Sequence, residues 1–511
     1  MTEISLEIGR QIGILVNRQG KIIHVMVGTH QEIVIPDLSK YRTGSGRLCG
    51  LRCIHTHLKG EPLSKDDLTD LALLRLDLMA AIEVKNDGLP GPVFMAHLLP
   101  ENKEDKRWEI LKPSSPQEIA LPFLSFITSL EDEIGKKIAS AHKAARSGRC
   151  ILVSVTNQRK SEAETSMMEL RELAISAGTE VVDEIIQYPK QINPKYLMGK
   201  GKLKDLLIQV LQHGVDLIIF DQNLSPGQVK SITEVTDLKV MDRTQLILDI
   251  FAQRAHSREG RVKVELAQLL YIKPRLMAKD DALSRLTGGI GGRGPGETKL
   301  EVDRRRINDR ITALKKELKE LSRGRSLRKY RRLKSGLPLV SIVGYTNAGK
   351  STLFNALTGS DVLEEDRLFA TLDTTSRRLW MGEGMEVIFS DTVGFIRDLP
   401  KDLVDAFKST LDELLDSSLL LHVVDITDPN STQRMEAVDN VLYEIGAGDI
   451  PRCVVVNKID AVTSEELAMG MALIKGVPLS AKNKKGLSEL SDEIRSILWG
   501  GKPASAEGAP W

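Results

Sequence analysis

Apolar and polar positions along the chain alternate with three different rhythms. In the first stretch, Ile12-Gly13-Ile14-Leu15-Val16, Ile22 to Val27 and Glu32-Ile33-Val34-Ile35 predict strands, the first two joined by the turn Asn17 to Gly20. Leu48 to Ile54 predicts another strand, ending in His55-Thr56-His57. Ser64, a natural N-cap followed by Asp66 and Asp67, opens a helix expected to run to Met79. The Pro-rich, charged stretch from Leu99 to Pro116 reads as a loop, and an amphipathic helix from about Leu121 to Arg146 closes a segment placed at residues 1–140.

In the second stretch, strands at Ile151–Val155, Val181–Ile186 and Asp216–Phe220 alternate with helices at Ser161–Ala177 and Lys202–His213, the pattern of a small α/β unit. Two long helices follow, Thr244–Ala278 and Leu300–Arg332, separated by the Gly-rich run Leu286 to Glu297. Val264, Leu266, Leu269 and Leu270 on one, and Ile307, Ile311, Leu314, Leu318 and Leu321 on the other, recur at helical spacing and predict an antiparallel hairpin. A Gly-rich tip on such a hairpin suits insertion where side chains would clash. This segment is placed at residues 148–335.

The third stretch, placed at residues 336–499, carries the chemistry. The buried-strand pattern Leu339 to Val343 ends in Gly344-Tyr345-Thr346-Asn347-Ala348-Gly349-Lys350-Ser351, and Thr352 continues a helix to Leu357. G-x-x-x-x-G-K-S between a strand and a helix is a phosphate-binding loop, whose backbone N–H groups and helix N-terminus surround phosphate oxygens. Lys350 is expected on the β- and γ-phosphates and Ser351 on Mg²⁺. A second strand, Glu386–Ser390, ends in Asp391-Thr392-Val393-Gly394, placing Asp391 near the metal and the Gly394 N–H near the γ-phosphate. Cys453–Val456 ends in Asn457-Lys458-Ile459-Asp460, where the Asp460 carboxylate accepts from guanine donors that adenine lacks. Lys458 lies along the base in this reading, and Asn457 ties the loop to the phosphate loop. Gly476–Leu479 ends in Ser480-Ala481-Lys482, whose backbone meets guanine O6. Four such elements, each at the carboxyl edge of a strand, predict an α/β fold with a doubly wound GTPase domain.

Composition adds limits. Of 511 residues, 41% are hydrophobic and 28% charged, as in ordinary globular proteins. Lys+Arg 71 against Asp+Glu 70 leaves a net charge of +1, so attraction to polyanions must be local. From Val302 to Lys334 there are 14 Lys+Arg against 4 Asp+Glu, a net of +10, which points to a polyphosphate partner such as folded RNA. The cysteines Cys49, Cys53, Cys150 and Cys453 read as free thiols of a reducing compartment. No apolar run is long enough for a membrane span, so the expected location is the cytoplasm, and the protein is expected to be a monomer. Residues 500–511 are expected to be a disordered tail.

His55-Thr56-His57 followed by Ser64 and Asp67 resembles the H-x-H…S-x-x-D motif of JAB/MPN-type (RadC-like) metalloproteases. That resemblance implies that His55, His57 and Asp67 hold Zn²⁺; the alternative is a metal-free relic in which they only cap a strand and a helix. The gap before Ser64 is one residue short for that family, and the strand expected to bear its glutamate carries His24, so the weight falls on the metal-free alternative.

Asn193 to Lys202, Asp242 to Phe251, Val264 to Leu269, Gly292 to Thr298 and Gly394 to Pro400 together resemble the HflX family of GTPases, from about Arg149 to Leu498. The resemblance implies a GTPase that binds the large ribosomal subunit and its RNA and splits or rescues stalled ribosomes. It also places the first switch at Phe369-Ala370-Thr371, with Thr371 a Mg²⁺ ligand and Thr374 and Thr375 its rivals. Lys350, Thr371 and Gly394 are then the catalytic candidates. Phe395 stands where many GTPases carry a water-orienting Gln, so unaided hydrolysis is expected to be slow. Asn347 stands where potassium-stimulated relatives bind K⁺; a purely loop-stabilising amide is the equal alternative. Rival functions are a GTP-gated RNA-binding scaffold and a GTP-regulated zinc metallopeptidase.

Overall fold

The computed structural model describes residues 1–41, 47–100, 106–144, 148–236, 238–287, 299–359, 369, 375–382, 385–392, 394–396 and 414–500. The chain divides into two compact units, Met1–Met167 with Gly178–Gln222 and Ser231–Met241, and Met168–Ala177 with Asn223–Lys230 and Asp242–Trp511. The N-terminal, middle and C-terminal segments each hold one sheet, but the middle segment is shared between the units.

The first unit opens with α1 (Thr2–Ile8), β1 (Ile12–Asn17), β2 (Ile22–Val27), β3 (Leu51–His57), α2 (Lys65–Leu73), β4 (Leu78–Val84), β5 (Pro90–Leu98), β6 (Trp108–Ile110) and α3 (Phe123–Ala144). Its sheet runs β2-β1-β3-β4-β5-β6, with β3 and β4 parallel and the other pairs antiparallel. Leu15, Leu51, Cys53, Leu71, Leu76 and Met79 fill the core beneath α2. Arg18 bridges Asp77 (2.7 Å) and Glu131 (2.9 Å), tying the end of β1 to α3.

Three segments depart from the expected elements. Glu32–Ile35 is not a strand: a turn bonds Thr29 N to Glu32 O, and Ile33 and Ile35 pack over the core outside any ladder. The helix after Ser64 ends at Leu73, and Met79 lies in β4, because Arg75 turns left-handed and the apolar run that follows pairs with β3. The stretch taken as a loop contains β6, paired with β5.

A second sheet, β10-β9-β7-β8, is built from β7 (Arg149–Val155), β8 (Glu180–Gln187), β9 (Leu217–Phe220) and β10 (Lys239–Asp242). With it go α4 (Lys160–Ser176), α5 (Lys200–Gln212) and α6 (Pro226–Thr233). All seven residues of β7 are buried, as expected for a central parallel strand.

In the second unit the stretch expected as one helix from Thr244 is two, α7 (Arg243–Arg254) and α8 (Arg258–Thr287), because Ala255 turns extended. Helix α9 (Lys299–Ser335) packs on α8 through Val262, Leu266, Ile311 and Leu314. Arg258 meets Glu317 and Arg310 meets Glu265, so the pair is antiparallel, as predicted. The Gly-rich tip beyond Thr287 and the tail after Gly500 lie outside the described residues.

The last sheet runs β12-β13-β11-β14-β15-β16, from β11 (Leu339–Gly344), β12 (Thr375–Trp380), β13 (Glu386–Asp391), β14 (Leu419–Asp425), β15 (Arg452–Asn457) and β16 (Val477–Pro478). Only β12 is antiparallel to its neighbour. Helices α10 (Lys350–Thr358), α11 (Ser431–Glu444), α12 (Ser464–Leu473) and α13 (Leu487–Trp499) complete it. The chain order reverses at β11, which opens a crevice at its carboxyl end, the place where doubly wound sheets bind ligands. No helix among the described residues is long and apolar enough to cross a membrane.

Candidate functional site

The phosphate loop leaves β11 at its carboxyl end and closes onto α10. Two glycines permit close approaches: a Cβ on Gly344 would lie 2.4 Å from Val423 O, and one on Gly349 (φ 91°) would lie 2.3 Å from Asn457 Nδ2. Through that gap Asn457 donates to Ala348 O (2.9 Å), while its Oδ1 accepts from Ala481 N (3.0 Å). Asn457 thus joins the phosphate loop to both base-side loops, the tie expected from sequence.

Lys350 Nζ, buried, donates to Tyr345 O at 2.7 Å. Burial pulls its pKa down to about 8, with Asp391 opposing the fall. A phosphate arriving at this amine would raise the pKa again. Nucleotide affinity is therefore expected to be level below pH 8 and to fall as pH rises past it, where binding must first protonate the amine. Isothermal titration between pH 7 and 9.5 checks this; a flat profile sinks it.

Ser351 Oγ donates to Asp391 Oδ2 at 2.9 Å, bringing two hard oxygens together at the foot of the loop. Thr392 spends its hydroxyl on Ile342 O (2.6 Å), so its side chain anchors β13 rather than facing a ligand. Gly394 lies against the loop, where a Cβ would meet Thr346 Cγ2 at 2.8 Å and Lys350 Nζ at 3.0 Å. Phe395 N donates to Gly344 O (3.1 Å) and its carbonyl accepts from Thr346 N (2.8 Å), so a buried Phe395 is stitched to the phosphate loop. Asn347 adopts φ 61° in the turn. Thr352 lies in the first turn of α10.

On the base side Lys458 Nζ sits 2.7 Å from Asp425 Oδ2, and Ser480 Oγ bonds Asp460 and accepts from Asn483 N at 3.1 Å. Asp460 and Lys482 are exposed, whereas Ser480 and Ala481 are buried. Phe369 packs its ring edge-on against Phe251 of α7, centroids 4.6 Å apart. Ala370, Thr371, Thr374 and Val393 lie outside the described residues, and Thr375 pairs with Asp391 in the ladder.

The N-terminal histidines also come together. As residues i and i+2 of β3, His55 and His57 share one face, with Nε2 atoms 3.0 Å apart. Asp67 reaches them at 3.3 and 3.5 Å while also completing a capping box with Ser64. Burial opposes ionisation of Asp67, but its bonds from His55 and Ser64 outweigh this and bring the pKa to about 2. His57 Nδ1 meets Glu61 O at 2.8 Å, and His55 Nδ1 is buried with no hydrogen-bond partner among the described residues.

Sequence reasoning missed Glu169 and Arg243. They form a buried pair, and Tyr345 donates its hydroxyl to Glu169. No local spacing marks partners 74 and 176 residues apart.

Comparison with known proteins agrees with this geometry. Residues 164–252 match the family described as GTP-binding GTPase N-terminal, 254–332 the GTP-binding GTPase middle region, and 339–458 the 50S ribosome-binding GTPase. The GTPase HflX of Caldanaerobacter subterraneus is 50% identical over 351 residues, 69% of this chain and 81% of that protein. The Escherichia coli GTPase HflX is 45% identical, over 62% of this chain and 74% of that protein. A GTP-binding protein from Sulfolobus solfataricus, solved in complex with GDP, is 26% identical over 68% of this chain and 98% of that one, with TM-score 0.38. A phosphate loop wired to the loops after β15 and β16, and relatives this similar over this much of their length, identify the chain as a member of the HflX family of GTPases and a GTP-hydrolysing enzyme.

Proposed function

We propose that this enzyme uses GTP to bind the large ribosomal subunit through its helical arm and to separate the subunits of stalled ribosomes. The observation that carries this reading is the arm itself. Helices α8 and α9 form an antiparallel pair, and the segment Val302–Lys334 carries a net of +10 in a chain of net +1. At 1.5 Å per residue the longer helix extends about 55 Å, enough to reach well into a large RNA assembly. The match to a 50S ribosome-binding GTPase family over the nucleotide site supports the same partner. Residues 1–140, 148–335 and 336–499 then act as extension, ribosome-binding and GTPase domains of a cytoplasmic monomer.

Ser351 and Asp391 would hold Mg²⁺, with Thr371 added when the first switch closes; the ion supplies charge neutralisation at the phosphates. Lys350 holds the phosphate oxygens, the Gly394 N–H reads the γ-phosphate, and Asn347 is a candidate K⁺ ligand. Phe395 offers no hydrogen bond to an attacking water, so ribosomal contact is expected to complete the site. Sedimentation of intact ribosomes with the protein and a non-hydrolysable GTP analogue tests the reading. Subunit separation, with the protein on the large subunit, supports it; binding without separation favours a GTP-gated scaffold; no binding rejects both.

A second reading rests on the convergence of His55, His57 and Asp67, whose ligand atoms lie within 4.8 Å of one another. Two imidazoles and a carboxylate fit a tetrahedral Zn²⁺ with one open position, and the Glu61 carbonyl on His57 Nδ1 leaves Nε2 for the metal. Bound zinc would open the possibility of metallopeptidase chemistry regulated by GTP. On this second reading, metal analysis of the full chain gives one zinc per chain, lost in His57→Ala; a metal-free wild type after zinc dialysis ends it.

A further inference from the structure

Helix α7 begins with two buried, oppositely charged residues that face different elements. Asp242 Oδ1 accepts from Gln245 N at 2.9 Å, capping the helix, and Oδ2 accepts from Leu224 N at 3.0 Å. Oδ2 also accepts from the Tyr271 hydroxyl and the Arg275 guanidinium, both on α8. Arg275 further donates to Leu224 O (3.1 Å) and Gln245 Oε1 (3.3 Å) and lies 4.0 Å over the Tyr271 ring. The middle of α8, in the helical arm, is thereby fastened to the first turn of α7.

The next residue, Arg243, donates to Glu169 Oε2 in the middle of α4. Glu169 Oε1 accepts from the hydroxyl of Tyr345, the residue after Gly344 in the phosphate loop. Arg434 covers the Tyr345 ring at 4.8 Å. The backbone carbonyl of the same Tyr345 accepts from Lys350 Nζ at 2.7 Å. The middle of α8, Asp242, Arg243, Glu169, Tyr345 and Lys350 are thus linked by consecutive bonds or peptide neighbours.

Asp242, Arg243, Glu169 and Tyr345 are exposed by 0, 5, 5 and 7%. Water cannot readily replace a lost partner at such positions, and a buried charge left unpaired is strongly disfavoured. Movement at either end is therefore followed along the chain of bonds instead of being absorbed by solvent.

We infer that Glu169 is a positioning residue of the nucleotide site, holding the Tyr345–Lys350 turn of the phosphate loop in a place set, through Arg243 and Asp242, by the middle of α8 in the helical arm. This deepens the proposed function, since the arm is the part assigned to the partner. It gives a route by which γ-phosphate occupancy and arm position influence one another, reciprocally, as coupling requires.

The test is amide hydrogen exchange across residues 262–275 in the full chain, with GDP and with a non-hydrolysable GTP analogue, no ribosome being present. Wild type is expected to exchange differently in the two states. Glu169→Gln is expected to lose most of that difference and to raise KM for GTP by roughly tenfold, the loss of about one charge-assisted bond, with a smaller change in kcat. Tyr345→Phe keeps the Glu169–Arg243 pair intact and removes only the link, so it answers the question even if Glu169→Gln folds poorly. Tyr271→Phe, outside the nucleotide site, is expected to keep nucleotide affinity within about twofold while also losing the exchange difference. An undiminished difference in Tyr345→Phe and Tyr271→Phe, or none in wild type, overturns the proposal. Ribosome sedimentation is a separate measurement, so the functional reading and this one fail separately.

Discussion

Lys350→Ala is expected to lower kcat/KM for GTP by roughly 10³-fold, the scale of removing a preorganised charge from a transition state. The amine is buried, bonded to Tyr345 O, and adjacent to both Asp391 and Gly394. Burial lowers its pKa to about 8, so the folded protein resists charging it before phosphate arrives. Deleting it removes that unfavourable charge at neutral pH, so the variant is expected to fold and to melt no lower than wild type. Steady-state kinetics and a thermal melt on the same preparation separate the two effects. Turnover above a tenth of wild type would sink the assignment; a collapsed melt would show that the lysine is structural.

Asp460→Asn is expected to change which base the enzyme prefers. A site that bonds specific donors can reject a base lacking them by roughly 10⁴-fold. Asp460 is an acceptor-only side chain at an exposed position, oriented by Ser480. The substituted amide presents a donor in place of one acceptor, so guanine loses a bond. Xanthosine triphosphate, which carries a carbonyl where guanine carries the 2-amino group, gains one. The expected result is a fall of about 100-fold in the GTP-over-xanthosine preference, read from competition for binding. An unaltered ratio would mean that Asp460 does not touch the base.

The geometry of the candidate nucleotide site, within the described residues, was largely legible because its parts are local. Each loop follows a short apolar strand, and glycine, lysine and aspartate at fixed spacing state the chemistry without reference to the rest of the fold. His55 and His57 were legible for a similar reason, since residues two apart on a strand share a face; their convergence with Asp67 depended on α2 starting where Ser64 caps it. The strand β4 was hidden because Leu78 to Val84 follows a helix with no Gly or Pro between them; the left-handed turn at Arg75 and its pairing with β3 and β5 separate the two. Glu32–Ile35 failed in the opposite sense: its composition suits a strand, but it has no partner in the ladder. The Glu169–Arg243–Tyr345 connection carries no signature at all, being made by residues from three segments that meet only in the folded chain.

The interleaving of the two units has a practical consequence for cutting the molecule. The polypeptide passes from one unit to the other at 167/168, 177/178, 222/223, 230/231 and 241/242, so no single cleavage separates the two. A truncation starting at Asp242 would look like a self-sufficient arm plus GTPase but would lack Met168–Ala177, and with it the Glu169 carboxylate bonded to Arg243. A cut at 177/178, 222/223 or 230/231 breaks both units at once, whereas residues 1–241 retain the whole of the first and residues 168–511 the whole of the second.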